Sequence, residues 1–70
     1  MKINLELSGL KIGVDNSITE AIHSKEWGVR LTFVDDNNTS RFETVINTKH
    51  IPSLIEKLQE VLIESEKLKT

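Results

Sequence analysis

Residues 51–68 read IPSLIEKLQEVLIESEKL, and this stretch decides the fold class of the chain. Its apolar residues recur at intervals of three and four, which is the spacing of one face of an α-helix. Pro52 lies where the first turn of such a helix tolerates a proline. The pattern predicts an amphipathic helix over 51–68 whose apolar side packs on another part of this chain. That side, called the helix stripe below, consists of Ile51, Leu54, Ile55, Leu58, Val61 and Leu62.

One apolar residue of the helix departs from this spacing. At about 100° per residue, Ile63 points almost opposite to the helix stripe. Packing of the stripe within the chain does not explain a large apolar side chain on the other side. Ile63 therefore predicts a second apolar surface, of the kind that contacts a partner.

The N-terminal residues 2–14 alternate between apolar and polar side chains, which is typical of a strand with one buried face. The alternation changes phase at Ser8 and Gly9. A bulge at Gly9 would keep both apolar sets on one face of a single strand, whereas a tight turn would make two short strands; the bulge is favoured. The two sets are Ile3, Leu5 and Leu7, and Leu10, Ile12 and Val14.

The next segment, residues 17–25, is expected to form a short helix or a loop. Asp15, Asn16 and Ser17 interrupt the alternation. The sequence from Ser17 to Glu20 then has the form of a capping box, which marks helix starts. A strand is an alternative, since so short a segment does not define a period.

Residues 26–48 predict a β-hairpin. Apolar residues occupy alternate positions on both arms, and the polar turn residues 35–38 separate the arms. Strands followed by a C-terminal helix indicate a single α+β domain over residues 1–70. It would have two layers, an antiparallel sheet of three to four strands covered by one amphipathic helix.

Composition narrows the class of protein. Seventy residues form one domain with a small core, and oligomerisation is a usual remedy for a small core. There is no cysteine, which excludes disulfides, thiolate zinc sites and cysteine nucleophiles and fits a reducing cytoplasm. No signal peptide and no apolar run of about 18 residues is present, so we expect a cytoplasmic protein without membrane contact. A net charge of −2 disfavours general nucleic-acid binding.

No constellation of residues indicates catalysis or metal binding. His23 and His50 are the only histidines, and neither belongs to a metal-binding motif. The acidic turn 35–38 lacks the glycine and the distal glutamate of a calcium loop. Glycine-rich phosphate loops and serine-nucleophile motifs are also missing from the sequence. We therefore predict a non-enzymatic protein with no catalytic, cofactor-binding or metal-binding residues.

Five residues are candidates for an interface. The strand alternation places the aromatic residues in the core beneath the helix and puts two arginines and two valines on the opposite sheet face. Arginines and uncovered apolar side chains are characteristic of protein interfaces. The candidates are Ile63, Val34, Val45, Arg30 and Arg41.

These observations predict a small interaction protein. It would be a homodimer or a higher oligomer that binds another protein as an adaptor, an inhibitor or a regulatory subunit. One alternative is a nucleic-acid-binding module that uses Arg30 and Arg41 on the open sheet face. The other alternative is a small-ligand binder whose site lies between subunits.

Overall fold

The computed structural model describes residues 1–21 and 24–69, with the side chains at 20, 21 and 24 left out. It confirms the α+β class, with an open antiparallel sheet of four strands and one C-terminal helix. The strands follow one another in the sheet in chain order, β1-β2-β3-β4, so the sheet is a simple meander. The elements are β1 (Lys2–Leu7), β2 (Leu10–Ala21), β3 (Ser24–Asp35), β4 (Arg41–Asn47), a 3-10 turn (Thr48–His50) and α1 (Ile51–Leu68).

The change of phase at Gly9 comes from a tight turn, so the favoured bulge is wrong. Leu7 pairs with Leu10, and the two residues between them connect β1 to β2. Gly9 has φ +83°, the left-handed value that position i+2 of a type II turn requires and that glycine adopts without strain. The reversal of the chain takes up the extra residue, and both apolar sets therefore share one face.

The short helix or loop expected over 17–25 is also wrong for the described residues, since β2 continues unbroken to Ala21 and β3 begins at Ser24. Ser17 pairs with Gly28 in the ladder. Thr19 Oγ1 donates a hydrogen bond across the strands to the carbonyl oxygen of Glu26 at 3.0 Å. An isolated helix of this length is unstable, whereas β3 offers a backbone partner at every residue. Residues 22 and 23, and with them His23, lie outside the described residues.

The turn between β3 and β4 is organised by one carboxylate, that of Asp35. It accepts hydrogen bonds from Thr39 N at 2.8 Å, Thr39 Oγ1 at 2.6 Å and Ser40 N at 3.0 Å. Those bonds, first that from Ser40, lower the pKa of Asp35. Asn38 adopts a left-handed φ of 56°, as asparagine often does in turns. The acidic stretch therefore closes a hairpin.

The helix α1 spans the range that its periodicity predicts, but it does not cover the sheet of its own chain. Leu58 and Val61, at the middle of the helix stripe, are each 62% exposed. The main contacts of α1 are with the 3-10 turn. The prediction that the stripe packs inside this chain is therefore wrong. Among the described residues no apolar side chain is buried, and Gly28 is the single residue in the buried class.

Candidate interaction surfaces

One face of the sheet is predominantly apolar, with Asn16, Asp35 and Thr44 among its polar positions, and we call it the apolar face. The strand registers put Leu5 opposite Ile12 and Ile12 opposite Phe33, so side chains from all strands combine on it. Trp27 is 63% exposed and Phe42 is 62% exposed. An uncovered surface of this kind normally marks an interface. The apolar face consists of Ile3, Leu5, Leu7, Leu10, Ile12, Val14, Ile18, Trp27, Val29, Leu31, Phe33, Phe42 and Ile46.

The three aromatic residues lie on this face, but no helix lies over them. The Phe33 and Phe42 rings are 6.2 Å apart between centroids and tilted by 36°, a common packing geometry for aromatic pairs. Their prediction as core residues beneath α1 is therefore wrong for the single chain, because Trp27 and Phe42 remain mostly exposed.

The overall dimensions show how much surface stays open. The Cα radius of gyration is 14.7 Å, whereas a compact chain of this length has about 11 Å. The accessible surface is 5948 Å², whereas a compact monomer of the same mass exposes about 4,450 Å². The excess of about 1,500 Å² is comparable with one side of an obligate dimer interface, which buries roughly 1,000 Å² or more per partner.

The opposite face, called the polar face, carries a cleft of about 390 Å³. Its lining side chains come from all four strands and include both signs of charge. The basic members are Lys2, Lys11, Arg30 and Arg41, and the acidic members are Glu6, Asp15 and Glu43.

An ion-pair network crosses three strands of the polar face. Arg30 forms a bidentate pair with Asp15, in which Nε donates to Oδ1 at 2.9 Å and Nη2 donates to Oδ2. Arg30 Nη1 also lies 3.9 Å from Glu43 Oε1, and Arg41 Nη2 lies 3.1 Å from Glu43 Oε2. The hydrogen bond from Arg30 lowers the pKa of Asp15, and the same bond raises the pKa of Arg30. The network fixes the arginines within the wall of the cleft.

Four of the five interface candidates lie together on the polar face. Arg30 is opposite Val45 across β3 and β4, and Val34 is opposite Arg41. Ile63 lies apart from them on α1 and is 58% exposed. Four residues of the helix stripe are exposed to a similar extent, whereas Ile51 and Leu54 are half-buried. Exposure therefore does not distinguish Ile63 from the C-terminal part of the stripe.

The two faces separate the groups that a single-stranded nucleic acid would need together. Aromatic rings stack on bases, and arginines bind phosphates. Here the rings lie on the apolar face, whereas Arg30 and Arg41 lie on the polar face and are paired with carboxylates. This separation weighs against the nucleic-acid alternative.

Sequence reasoning missed the apolar face as a candidate surface because it assigned α1 as its cover. The sequence does indicate that one helix is too narrow to cover all the apolar residues of the predicted strands. A helix of this length is about 10–12 Å wide, whereas four strands about 4.8 Å apart make a wider surface. One helix therefore leaves part of such a sheet uncovered even when it packs on it.

In residues 1–21 and 24–69 no group of three or more potential ligand side chains could hold a metal ion. His50 is exposed at the start of α1 and makes no capping hydrogen bond. Of the helices described, none combines the length and apolar composition that crossing a bilayer requires. Comparisons with protein-family models, with curated proteins and with solved structures found no match to this chain.

Proposed function

We propose that this chain is a small non-enzymatic interaction protein that works as a homodimer and binds another protein. In this role it is an adaptor, an inhibitor or a regulatory subunit. The observation that supports it is the pair of uncovered apolar surfaces, the apolar face and the helix stripe, in a chain without a buried apolar side chain among its described residues.

Self-association follows from the energetics of folding. Ordering each residue costs about 1–2 kcal/mol of backbone entropy, and burial of apolar surface is the main term that offsets this cost. A sheet with one apolar face needs a second layer to bury that face. Since α1 does not supply that layer within the chain, a second copy is the partner always present at the same place and concentration.

The polar face is the surface for the other protein in this proposal. Once the apolar face is covered, the polar face still points outward in both copies. Val34 and Val45 lie there beside Arg30 and Arg41, and arginine is enriched among residues that contribute most to binding. The proposal places the protein in the cytoplasm, because a chain without cysteine suits a reducing compartment.

Sedimentation equilibrium tests the self-association. The chain has a mass of 8.0 kDa, and we expect twice that mass at micromolar concentration. The variant Trp27→Ser should weaken the dimer, because Trp27 is the most exposed aromatic residue of the apolar face. Lys49→Ser, which shortens an exposed side chain in the 3-10 turn, is the matched control. A folded 8.0 kDa species at high micromolar concentration would rule out the dimer.

A charge change on the polar face tests the binding of another protein. We expect affinity capture from native extract to yield a partner with the wild-type chain and to lose it with Val34→Asp combined with Arg41→Glu. Lys49→Glu is the matched charge reversal away from that face. Both variants should remain dimeric. A partner that stays bound to the double variant would place its binding site elsewhere.

A further inference from the structure

We propose that two copies exchange their helices, so that α1 of each copy lies on the apolar face of the other. This inference rests on the proposed self-association and specifies which surfaces of the two copies contact each other. The occupant of the apolar face is a second copy of this chain, and the contact element is the helix stripe.

The connection between β4 and α1 explains why the helix does not fold back on its own sheet. The 3-10 turn runs directly into α1, and His50 at the junction has φ −94° and ψ −10°, close to helical values. Residues 48–68 therefore form one helical segment without an intervening loop, which we call the rod. A return of the helix over its own sheet requires a bend at Asn47, the last residue of β4.

Asn47 is held by hydrogen bonds on two sides. Its Oδ1 accepts a hydrogen bond from Lys49 N at 3.0 Å, and its Nδ2 donates one to Glu26 Oε2 on β3. These bonds tie Asn47 to β3 and to the 3-10 turn, so they oppose a bend at Asn47. The direction in which the rod leaves the sheet is thus fixed by the end of the hairpin, and the helix stripe is presented to a neighbour.

Helix exchange is the arrangement that covers both apolar surfaces at once. Pairing of two apolar faces leaves Leu58 and Val61 of both helices in water, and pairing of two helices leaves both apolar faces in water. Reciprocal helix-on-sheet contacts cover the helix stripe and the central part of the apolar face in each copy, and they close a dimer with two-fold symmetry. The accessible surface exceeds that of a compact monomer by about 1,500 Å² per copy, which is sufficient for a dimer of the obligate class.

The dimensions of the two surfaces are compatible. The 18 residues of α1 make a helix about 27 Å long. The 12 residues of β2 and of β3 make strands about 40 Å long. A helix can therefore lie along the two long central strands without extending past them.

Mixing two damaged variants tests the exchange. Leu58→Lys alters the helix stripe, and Ile12→Glu alters the apolar face. In each homodimer both helix-on-sheet contacts are damaged, so each variant alone should dimerise about 100-fold more weakly than wild type. In the mixed dimer one contact is intact and the other brings the introduced opposite charges together. We therefore expect a mixed dimer within about tenfold of the wild-type affinity, measured by sedimentation of labelled chains.

The control variants carry charge changes away from both surfaces. Glu56→Lys lies on the side of α1 opposite to the stripe, and Lys11→Glu lies on the polar face. Each should leave dimerisation unchanged. If Leu58→Lys alone dimerises as wild type does, the two apolar faces pair directly and the exchange is wrong. If mixing restores nothing while each variant alone is folded, the exchange is also wrong.

Disulfide cross-linking tests the helix exchange if the charged variants do not fold. The chain has no cysteine, so introduced pairs report unambiguously. Leu58→Cys is combined in turn with Ile12→Cys, Val14→Cys and Leu31→Cys. At least one pair should give a covalent dimer on oxidation, whereas each single variant and the pair Glu56→Cys with Ile12→Cys should not.

The results distinguish a failure of the helix exchange from a failure of dimerisation. An intrachain disulfide, or a dimer linked by Ile12→Cys alone, overturns the exchange. So does the absence of a covalent dimer from every cysteine pair when the wild-type chain itself sediments as a dimer. A wild-type chain that sediments as a monomer overturns the proposed self-association together with the exchange.

Discussion

At the scale of single residues, Gly28 occupies a position in β3 that has no room for a side chain. A Cβ atom there would lie 2.8 Å from Thr19 Cγ2, 2.8 Å from Val45 Cγ1 and 2.9 Å from the backbone oxygen of Ile46. The last contact is with the backbone of β4, which cannot move without disturbing the ladder. Gly28 therefore permits the close approach of β3 and β4 on the polar face.

We predict that Gly28→Ala destabilises the protein by about 1–3 kcal/mol, because the added methyl group overpacks the sheet. The free energy of unfolding in urea, at one fixed protein concentration, measures this. Gly13→Ala is the matched control in β2, since its Cβ would meet the nearest atom at 3.6 Å, an ordinary contact. Equal stability of the two variants would show that β3 and β4 are less close than described.

The Asp15–Arg30 pair makes stability depend on pH. The pKa of Asp15 is lowered below its ordinary value of 3.8, chiefly by the hydrogen bond from Arg30. A carboxyl group with a lowered folded-state pKa contributes stability above its ordinary pKa and loses it as the pH falls through the lowered value. Asp35 adds a contribution of the same sign.

Asp15→Asn should therefore lower stability at neutral pH and reduce the loss of stability on acidification. Urea unfolding at neutral pH and at about pH 3 measures both effects. Asp36→Asn, in the exposed turn between β3 and β4, is the matched control and should leave the wild-type acid dependence intact. An unchanged acid dependence in Asp15→Asn would assign the effect to other carboxylates.

At the scale of elements, apolar periodicity predicted the secondary structure of the long segments. It failed for short segments, whose pattern is compatible with two different structures. The apolar spacing over residues 51–68 defines α1, and the alternation on both arms predicts the β3–β4 hairpin. The capping-box pattern from Ser17 to Glu20 was misleading, because the adjoining strand β3 satisfies the backbone there. At Gly9 a bulge and a turn absorb one residue equally well, so the sequence did not distinguish them.

The junction between β4 and α1 gives a prediction at this scale. Asn47→Ala removes the acceptor for Lys49 N and the contact with Glu26, and we expect it to lower the free energy of unfolding by about 1 kcal/mol. Asn37→Ala, in the exposed turn between β3 and β4, is the control and should have little effect. Urea unfolding compares the two. Equal effects would mean that Asn47 does not hold the turn.

At the scale of the whole molecule, the sequence predicted which side chains share a face but not what covers them. The grouping of Arg30 and Arg41 with Val34 and Val45 follows from the alternation, and the registers agree with it. The position of α1 depends on a few residues at the end of β4, and periodicity carries no information about the direction in which a helix leaves a sheet. The uncovered apolar face is therefore a finding of the structure.

In the proposed dimer the core of this protein forms between two copies, so folding and association are one process. The most direct measurement is the thermal unfolding midpoint, followed by far-ultraviolet circular dichroism over about a 100-fold range of protein concentration. We predict that the midpoint rises steadily with concentration, because association draws chains into the folded state. A midpoint independent of concentration, together with a folded species of 8.0 kDa, would show that the chain folds without a second copy.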